Sequence, residues 1–267
     1  MIHMKKNTNT TSIIALITDF GDKDFYVGAM RGVILSINPN AKIVDISHNI
    51  EPFSVISGAY VLYGAYKYFP KGTTFLIVVD PGVGSRREAI VIKTRNYSFV
   101  APNNGVLSLV LMEESITEKY LIPENIFVKK PSYTFHGRDI FAPAAAYASM
   151  GVYDVFEEFR GDIVTLDILK YKKEGRAIKA HVINVDRFGN VALSVQYEDV
   201  KKEISYGKTV SIKGIGDVKL IRYFSELSVG ETGLIVNSIG FLEICVREGN
   251  AAKRYGLKLG DEVLLTW

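Results

Sequence analysis

Short apolar runs alternate with longer segments of helical apolar spacing over the first 160 residues. The runs that predict buried strands are 13–20, 41–47 and 73–80, and "AIVIKT" and "YSFVAP" flank Arg95-Asn96 as a hairpin. Apolar spacing predicts helices over 24–37, 55–69, 105–114 and 138–150. Strands that alternate with helices of this length indicate an α/β domain with a largely parallel central sheet.

The pattern changes near Gly161. Residues 161–176 are charged and contain Gly175, which predicts a linker. From residue 177 onward, short alternating strands are separated by glycine turns about every 8–12 residues, which favours a smaller all-β, barrel-like domain. We therefore predict an α/β domain over 1–160, a linker over 161–176 and a β-barrel domain over 177–267.

Composition and charge narrow the classes of function. The 267 residues carry a formal net charge of +3, without a block of five like charges, so neither nucleic-acid binding nor a membrane partner is suggested. Cys245 is the one cysteine and is expected to be a small buried hydrophobe in a reducing compartment. The polar N-terminal twelve residues are expected to be frayed, and the apolar run Ile13–Ile17 is too short for a signal-peptide core. A cytoplasmic location is expected.

Two predicted strands end on carboxylates that precede turns. Asp19 and Asp80 are each followed by glycine within two residues, as expected for a ligand cleft at the carboxyl edge of a parallel sheet. In "VVDPGVGSRR" two arginines follow, which indicates either a solvated loop or an arginine that faces Asp80 across a tight turn. The stretch lacks the third glycine of a dinucleotide fingerprint. The four histidines have no metal-ligand spacing, so no metal site is predicted.

The stretch "TFHGRD" holds a second group of candidates. Gly137 permits close backbone approach to a ligand, while Arg138 and Asp139 are expected to form an ion pair at a helix start. A lone loop histidine such as His136 is more often structural or solvated than functional. In the second half, "VDRFGN" again places an aspartate at a strand end before a turn.

Seven motifs together resemble one known family. "ITDFG", "VDISH", "VVDPGVGSRR", "APNNG", "TFHGRD", "VDRFGN" and "NSIGFLEI…GNAA" occur in this order over about residues 13–265. They resemble the S-adenosyl-L-methionine (SAM) hydrolases, or SAM hydroxide adenosyltransferases, which are relatives of the SAM-dependent fluorinase and chlorinase. The resemblance implies an α/β domain followed by a β-barrel. It also implies a homotrimer with each active site between the N-terminal domain of one subunit and the C-terminal domain of the next.

The resemblance implies an enzyme that uses water to split SAM at C5′ into adenosine and L-methionine, with SAM as substrate and no cofactor. The family's catalytic Asp, Arg and His fall on Asp80, Arg87 and His136. The resemblance thus favours Arg87 over Arg86 and makes His136 functional. In the fluorinase, tyrosines stand at the positions of Asp80 and His136, and a halide-binding serine stands at the position of Gly137.

Further positions match substrate-binding groups of the family. Asp19 matches the carboxylate that grips the ribose hydroxyls, and Asp186 and Ser238 match groups at the methionine end. The other implied substrate-binding residues are Phe53, Thr134, Phe135, Asn190, Phe224, Glu243 and Val246. Ile239 departs from the pattern, because the fluorinase has an arginine there that would pair with the methionine carboxylate. Two alternatives remain: a SAM-dependent halogenase, and a non-catalytic protein that binds adenosine or SAM.

Overall fold

The computed structural model describes residues 12–267, so the N-terminal segment expected to be frayed lies, up to residue 11, outside the described residues. The described chain divides into two compact units, one ending at Thr165 and the other spanning Leu166–Trp267. This division falls inside the predicted linker segment, 161–176.

The first unit is built on a seven-stranded sheet. Its strands are β1 (Ile13–Thr18), β2 (Lys42–Ser47), β3 (Thr74–Val78), β4 (Ala89–Thr94), β5 (Ser98–Pro102), β6 (Ile116–Leu121) and β7 (Glu157–Glu158). They lie in the order β2-β1-β3-β5-β4-β6-β7. Strands β2, β1, β3 and β5, which are neighbours in that order, run parallel to one another. Strands β4, β6 and β7 are antiparallel to their neighbours. The predicted α/β class with a largely parallel sheet is confirmed.

Helices cover both faces of this sheet. They are α1 (Tyr26–Ile37), α2 (Val55–Ala65, continued by a 3₁₀ turn at Tyr66–Tyr68) and α3 (Ala142–Ser149), which follows a π-helical turn at Gly137–Phe141. Ile14 and Leu16 pack with residues of α1 and α3. Side chains alternate along a strand, so Ala15 and Ile17 point to the opposite face, and they too are fully buried. Burial on both faces explains why these strands are continuous apolar runs.

One local prediction in this unit was wrong, and one strand was missed. Residues 105–114 form successive turns with a 3₁₀ turn at Val110–Met112, not the predicted α-helix. Gly105 has φ +96°, and the Ser108 hydroxyl donates to the Gly105 carbonyl at 2.6 Å, which occupies a group that helix growth needs. Strand β6, "ITEKYL", was missed because three polar or charged residues at its centre, Thr117, Glu118 and Lys119, give a weak apolar signal.

The second unit is a closed barrel. Its elements are β8 (Lys172–Glu174), β9 (Ala177–Val185), β10 (Val191–Gln196), α4 (Tyr197–Val200), β11 (Thr209–Ile212), β12 (Gly216–Ile221), β13 (Thr232–Val236), β14 (Phe241–Val246), α5 (Ala251–Tyr255) and β15 (Glu262–Thr266), with 3₁₀ turns at Asp167–Leu169 and Phe224–Glu226. Seven strands run β9-β10-β14-β13-β12-β11-β15 and return to β9, while β8 pairs outside the ring. The predicted barrel-like domain is confirmed. Cys245 is fully buried, as expected, and burial raises the pKa of its thiol to about 12.

Candidate active site

A tight loop follows β3 and carries the first pair of candidates. The Val83 amide donates to the Asp80 carbonyl at 3.3 Å and the Ser85 amide to the Gly82 carbonyl at 3.0 Å, which turns the chain back on itself. Gly84 has φ +77°, and a Cβ atom there would lie 2.7 Å from the Tyr133 carbonyl oxygen. Glycine is therefore required at this turn, both for its backbone conformation and for its lack of a side chain.

The turn brings Arg87 against Asp80. Arg87 Nε lies 2.9 Å from Asp80 Oδ1, and Nη2 lies 2.6 Å from Oδ2, so the guanidinium meets the carboxylate with two parallel donors. The exposed fractions are only 12% for the Arg87 side chain and 5% for that of Asp80. The guanidinium carbon also sits 5.0 Å from the ring centroid of Phe141. Arg86, by contrast, is exposed. Of the two interpretations of this loop, a solvated loop or an arginine that faces Asp80, the structure shows the second, and the arginine is Arg87.

His136 completes a contiguous chain of polar groups. Its Nδ1 lies 2.9 Å from Arg87 Nη2, although the two residues are 49 positions apart. A guanidinium can only donate, so Nδ1 accepts and the ring proton resides on Nε2. Burial and the positive charge of Arg87 lower the pKa of His136 below its usual 6.5, against smaller opposite effects from Asp80, Glu124 and Asp139. The ring is therefore neutral at neutral pH.

Asp19 lies at the same edge of the sheet. Strands β1 and β3 are parallel with Thr18 opposite Val78, so Asp19 and Asp80 leave neighbouring strands at their carboxyl ends. Burial raises the pKa of Asp19; the Phe53 amide opposes this shift and the charge of Asp80 adds to it. The Phe53 amide donates to Asp19 Oδ2 at 2.8 Å. Phe53 itself has φ +67°, a strained conformation for a bulky residue, and its ring is exposed.

Aromatic rings pack beside this edge. Phe135 is buried, and its ring centroid lies 5.0 Å from that of Tyr26, 6.0 Å from that of Phe20 and 6.2 Å from that of Phe25. Phe25 stands exposed on top of the group. The family resemblance predicted Phe135 as a pocket residue. Sequence analysis missed Phe25 and Tyr26, because aromatic residues at the start of a helix are usually part of the hydrophobic core.

The segment before α3 fixes the position of His136. Arg138 Nε lies 2.6 Å from Asp139 Oδ1, which confirms the predicted ion pair at the helix start. Asp139 Oδ2 also accepts from the Ser132 amide at 2.8 Å, which ties the loop before His136 to the helix. Thr134, another predicted site residue, is exposed on that loop. The π-helical turn at Gly137–Phe141 follows directly, and such turns occur frequently at functional sites.

Two clefts open beside His136. Their volumes are about 390 and 410 Å³, and they share Ser85, Glu124, Asn125 and His136 as lining residues. Arg87 lines the first of them. Sequence analysis did not identify Glu124, because this residue follows a proline in an irregular segment. Its negative charge nevertheless acts on His136 and raises the pKa of that ring.

In the second unit, Asp186 ends β9 and organises its own turn. Asp186 Oδ1 accepts from the amides of Phe188 and Asn190, each at 2.9 Å. Its Oδ2 accepts from the side-chain amide of Asn190, also at 2.9 Å. The structure thus brings Asp186 and Asn190, two of the predicted substrate-binding residues, into direct contact, and the carboxylate clamps the turn.

A pocket of about 520 Å³ opens beside this turn. It is lined by Phe188, Asn190, Phe224, Val246, Glu248, Gly249 and Asn250. Three of these, Asn190, Phe224 and Val246, are residues that the resemblance assigned to substrate binding. Phe188 is largely exposed at the rim, and the sequence did not single it out. Aromatic rims around an open apolar pocket suit a flat ring.

The turn between β13 and β14 carries the remaining candidates. Asn237 Oδ1 accepts from the amides of Ile239 at 3.2 Å and Phe241 at 3.0 Å, and Ser238 is exposed on that turn. Glu243 is buried on β14, where Asn237 Nδ2 donates to it at 3.2 Å. Burial raises the pKa of Glu243, the charge of Asp186 adds to this, and the Asn237 contact reduces it.

The described residues contain neither a helix suited to a membrane nor a cluster of metal ligands. Among residues 12–267, none of the helices is both long and apolar enough to cross a membrane. Within the same residues, we find no group of three or more His, Cys, Asp or Glu side chains that could hold a metal ion. The predicted site residues therefore form two sets, Asp19 to His136 in the first unit and Asp186 to Val246 in the second.

Comparison with known proteins gives consistent similarities. The (R)-S-adenosyl-L-methionine hydrolase of Methanocaldococcus jannaschii is 38% identical over 263 residues, which is 94% of each chain. The fluorinase of an Actinoplanes species is 26% identical over 297 residues, covering 97% of this chain and 98% of that one. A crystal structure titled as an uncharacterized conserved protein from Thermotoga maritima aligns with a TM-score of 0.86 at 39% identity, covering 96% of this chain and all of that one.

Models of two domains cover most of the chain. The SAM hydroxide adenosyltransferase N-terminal domain matches residues 14–158, and the C-terminal domain of the same family matches residues 180–264. The two matched ranges fall on the α/β unit and the barrel unit respectively. The chain belongs to the SAM hydroxide adenosyltransferase family.

Proposed function

We propose that the protein is an enzyme that hydrolyses SAM, with water attacking C5′ of the adenosyl group. The oxygen–C5′ bond forms while the C5′–sulfur bond breaks, and the bonding pair leaves on sulfur. The products are adenosine, L-methionine and one proton. The observation that carries this proposal is the buried Asp80–Arg87–His136 chain at the carboxyl edge of the sheet, together with relatives whose names state the same activity.

The chemistry explains why such a group is needed. Methionine leaves as a neutral thioether and requires no acid, so the weak partner is the water nucleophile. The Arg87 guanidinium, a cation, stabilises negative charge that develops on the attacking oxygen. Its two contacts with Asp80 and its contact with His136 hold the guanidinium in one orientation before substrate binds. Such preorganisation removes a cost that would otherwise arise during the reaction.

We assign the proton acceptor to Asp80. His136 already accepts from Arg87 at Nδ1 and carries its proton on Nε2, so the neutral ring presents a donor to solvent. Asp80 Oδ2 accepts from both Nε and Nη2 of Arg87, whereas Oδ1 accepts only from Nε and keeps a lone pair that can receive the water proton. In this scheme His136 orients Arg87 and the water, and the proton passes from Asp80 to solvent.

The substrate end groups follow from the family resemblance. We propose that Asp19 binds the ribose diol, that Phe53, Thr134 and Phe135 border the ribose and adenine, and that the barrel pocket with Asn190, Phe224 and Val246 receives the adenine. Asp186, Ser238 and Glu243 would then hold the methionine end. We propose a homotrimer in which each site combines the α/β unit of one subunit with the barrel unit of the next. No cofactor is required for this reaction, and the single cysteine supports a cytoplasmic location.

A crowded glycine supports water over halide as nucleophile. A Cβ atom on Gly137 would lie 3.2 Å from a Phe135 ring carbon and 3.3 Å from both Met30 Sδ and a Phe20 ring carbon. The fluorinase serine at this position would therefore need neighbouring side chains to move. The packing leaves little space for a side chain that binds halide.

The decisive experiment incubates the protein with SAM in ¹⁸O-labelled water, with and without chloride or fluoride, and separates the products by chromatography. We expect adenosine that carries the label at its 5′-oxygen. Faster formation of 5′-halo-5′-deoxyadenosine would overturn the hydrolase in favour of a halogenase. Tight adenosine binding without any turnover of SAM would identify a binding protein.

The proposed trimer has its own test. Subunits with Arg87→Ala and subunits with Phe224→Ala are each purified, mixed, dissociated in mild denaturant and reassembled. If a site combines two subunits, some mixed sites contain both intact halves, and activity reappears. Absence of recovery in particles shown by mass to contain both variants would contradict the shared site.

A further inference from the structure

The loops that leave β1 and β2 are clasped together at Thr18 and His48. Thr18 Oγ1 lies 2.9 Å from His48 Nδ1, and both residues are buried, with exposed fractions of 0% and 8%. The main chain adds two contacts: the Gly21 amide donates to the His48 carbonyl at 2.7 Å, and the Ile50 amide donates to the Thr18 carbonyl at 3.4 Å. Asp19 sits between these fixed points.

An irregularity in strand pairing makes the clasp possible. Leu16 pairs with Asp45 but Ile17 pairs with Ser47, so Ile46 is an extra residue on β2. Continuing the new register sets His48 level with Thr18, whereas regular pairing would have placed Ser47 there. Bulges of this kind re-aim side chains near functional sites.

A charged residue, Asp45, contacts the side of the His48 ring that faces away from Thr18. His48 Nε2 lies 2.9 Å from Asp45 Oδ1, and Arg31 of α1 donates to Asp45 Oδ2. Although partial burial raises the pKa of Asp45, the contacts with Arg31 and His48 outweigh it and lower the pKa below the usual value. Asp45 is therefore an ionised acceptor at neutral pH.

The direction of the hydrogen bonds is then fixed. Ionised Asp45 only accepts, so the His48 proton sits on Nε2 and Nδ1 is an acceptor. The Thr18 hydroxyl donates to Nδ1, which leaves its oxygen free to accept from the Phe20 amide at 3.3 Å. Hydrogen bonds thus run from the Phe20 amide through the Thr18 hydroxyl to His48 Nδ1, and the Asp45 carboxylate lies 2.9 Å from the other ring nitrogen. The contacts at Thr18 and Phe20 lie on both sides of Asp19.

We propose that Asp45, His48 and Thr18 are positioning residues that hold the Asp19 carboxylate where it meets the vicinal diol of the nucleoside. This inference rests on the proposed function, since it takes Asp19 as the group that binds the diol. The residues act through the backbone of 18–21 and do not touch substrate. Their loss should weaken binding of the diol while leaving the Asp80–Arg87–His136 chain intact.

The test compares two ligands on matched variants by calorimetry. Thr18→Val removes the hydroxyl group at nearly constant side-chain volume. Thr18→Ser keeps the hydroxyl group and removes only the methyl group. We expect Thr18→Val to weaken adenosine binding by about 10-fold, the worth of one buried hydrogen bond, and Thr18→Ser to stay within about twofold of wild type. Binding of 2′,3′-dideoxyadenosine, which lacks both hydroxyls, should change by less than about twofold. With SAM, KM should rise while kcat stays nearly constant.

Thr94→Val is the control for a merely structural effect. Thr94 is also buried, and its hydroxyl oxygen also accepts a main-chain amide, that of Tyr97 at 3.1 Å, in the β4–β5 hairpin. We expect this variant to bind both ligands as wild type does. His48→Gln provides a second route if Thr18→Val is poorly folded, with the same selective loss for adenosine.

The outcomes separate the two levels of inference. Asp19→Ala is measured with the same ligand pair. If Asp19→Ala weakens both ligands equally, the proposed diol role of Asp19 fails. If Asp19→Ala is selective for adenosine but Thr18→Val and His48→Gln weaken both ligands equally or neither, the positioning role is overturned while the ribose assignment stands.

Discussion

Two aspartates in this protein end a strand and lead into a glycine turn, yet the structure uses them differently. The Asp80 carboxylate accepts hydrogen bonds from Arg87, which lies at the other end of the same loop. Arg87 also contacts His136, which comes from a distant part of the chain. The Asp186 carboxylate accepts hydrogen bonds from the backbone amides of its own turn and from the side chain of Asn190. The first carboxylate is part of a chain of side chains from distant segments, and the second is a local clamp.

The difference teaches that two aspartates in similar sequence contexts, each after a strand and before a glycine turn, can have different roles. A carboxylate that accepts from the amides of its own turn stabilises that turn. A carboxylate that faces a buried guanidinium and keeps a lone pair free can also accept a proton from water. Experiments that remove each partner should therefore give different kinds of loss in the two units.

The largest effect is expected for Arg87→Ala. Loss of the buried guanidinium removes charge stabilisation of the attacking oxygen and should lower SAM hydrolysis by at least about 100-fold. Arg86→Ala is the matched control, because Arg86 is the adjacent exposed arginine, and it should keep activity within about threefold of wild type. Adenosine release measured by chromatography checks both. Equal losses in the two variants would show that Arg87 has no special role.

A second comparison separates Asp80 from His136. An Asn side chain at 136 keeps an oxygen that can accept from Arg87 but cannot take a proton at neutral pH. We expect His136→Asn to lose about 10-fold in kcat and Asp80→Asn about 100-fold or more, since general-base catalysis typically contributes about 10²–10⁴-fold. Single-turnover rates under saturating SAM check this order. A larger loss in His136→Asn would move the proton acceptor to the histidine.

The Asp186 turn should respond in stability. Asp186→Ala removes three acceptor contacts and should lower the free energy of unfolding by about 1–3 kcal/mol. Asp186→Asn keeps an oxygen for the two backbone amides and should lose less. Urea unfolding followed by circular dichroism measures both. If Asp186→Ala unfolds at the same urea concentration as wild type, the carboxylate is not the clamp of its turn.

The smallest effect is expected in the pH profile of Glu124→Gln. A protonated His136 would set an N–H against the Arg87 guanidinium, so activity should fall as pH falls through the lowered pKa of His136, below 6.5. The charge of Glu124 raises that pKa, so its removal should move the acid limb of kcat to still lower pH.

Glu118→Gln, an exposed carboxylate on β6, is the control and should leave the limb in place. A limb that moves to higher pH in Glu124→Gln would contradict the assignment of the titrating group to His136.

Much of the fold could be predicted from local pattern. The continuous apolar run of β3 identified a strand buried on both faces, and the alternation in "GFLEICV" identified β14. The failed helix at 105–114 shows the limit, because Gly105 and Ser108 redirect hydrogen bonds that apolar spacing alone does not register. Strand β6 was missed for the opposite reason, since a strand with Thr117, Glu118 and Lys119 at its centre has little apolar signal.

The candidate site divides in the same way. Asp80 and the arginines stand close in sequence, so their pairing was open to prediction. The aromatic group with Phe25 and Tyr26, the cleft residue Glu124 and the His48 clasp were not, because each depends on segments that are far apart in the chain.

The sequence by itself determined the two classes of domain, the aspartates that follow β1, β3 and β9, and the family resemblance of seven motifs. Only the tertiary structure decided that Arg87 contacts both Asp80 and His136, that His136 is a buried neutral acceptor, and that Asp186 clamps its own turn. The physical reason is that local pattern records burial and turn chemistry. The hydrogen-bond partner of a polar side chain is set by what folding brings within about 3 Å of it.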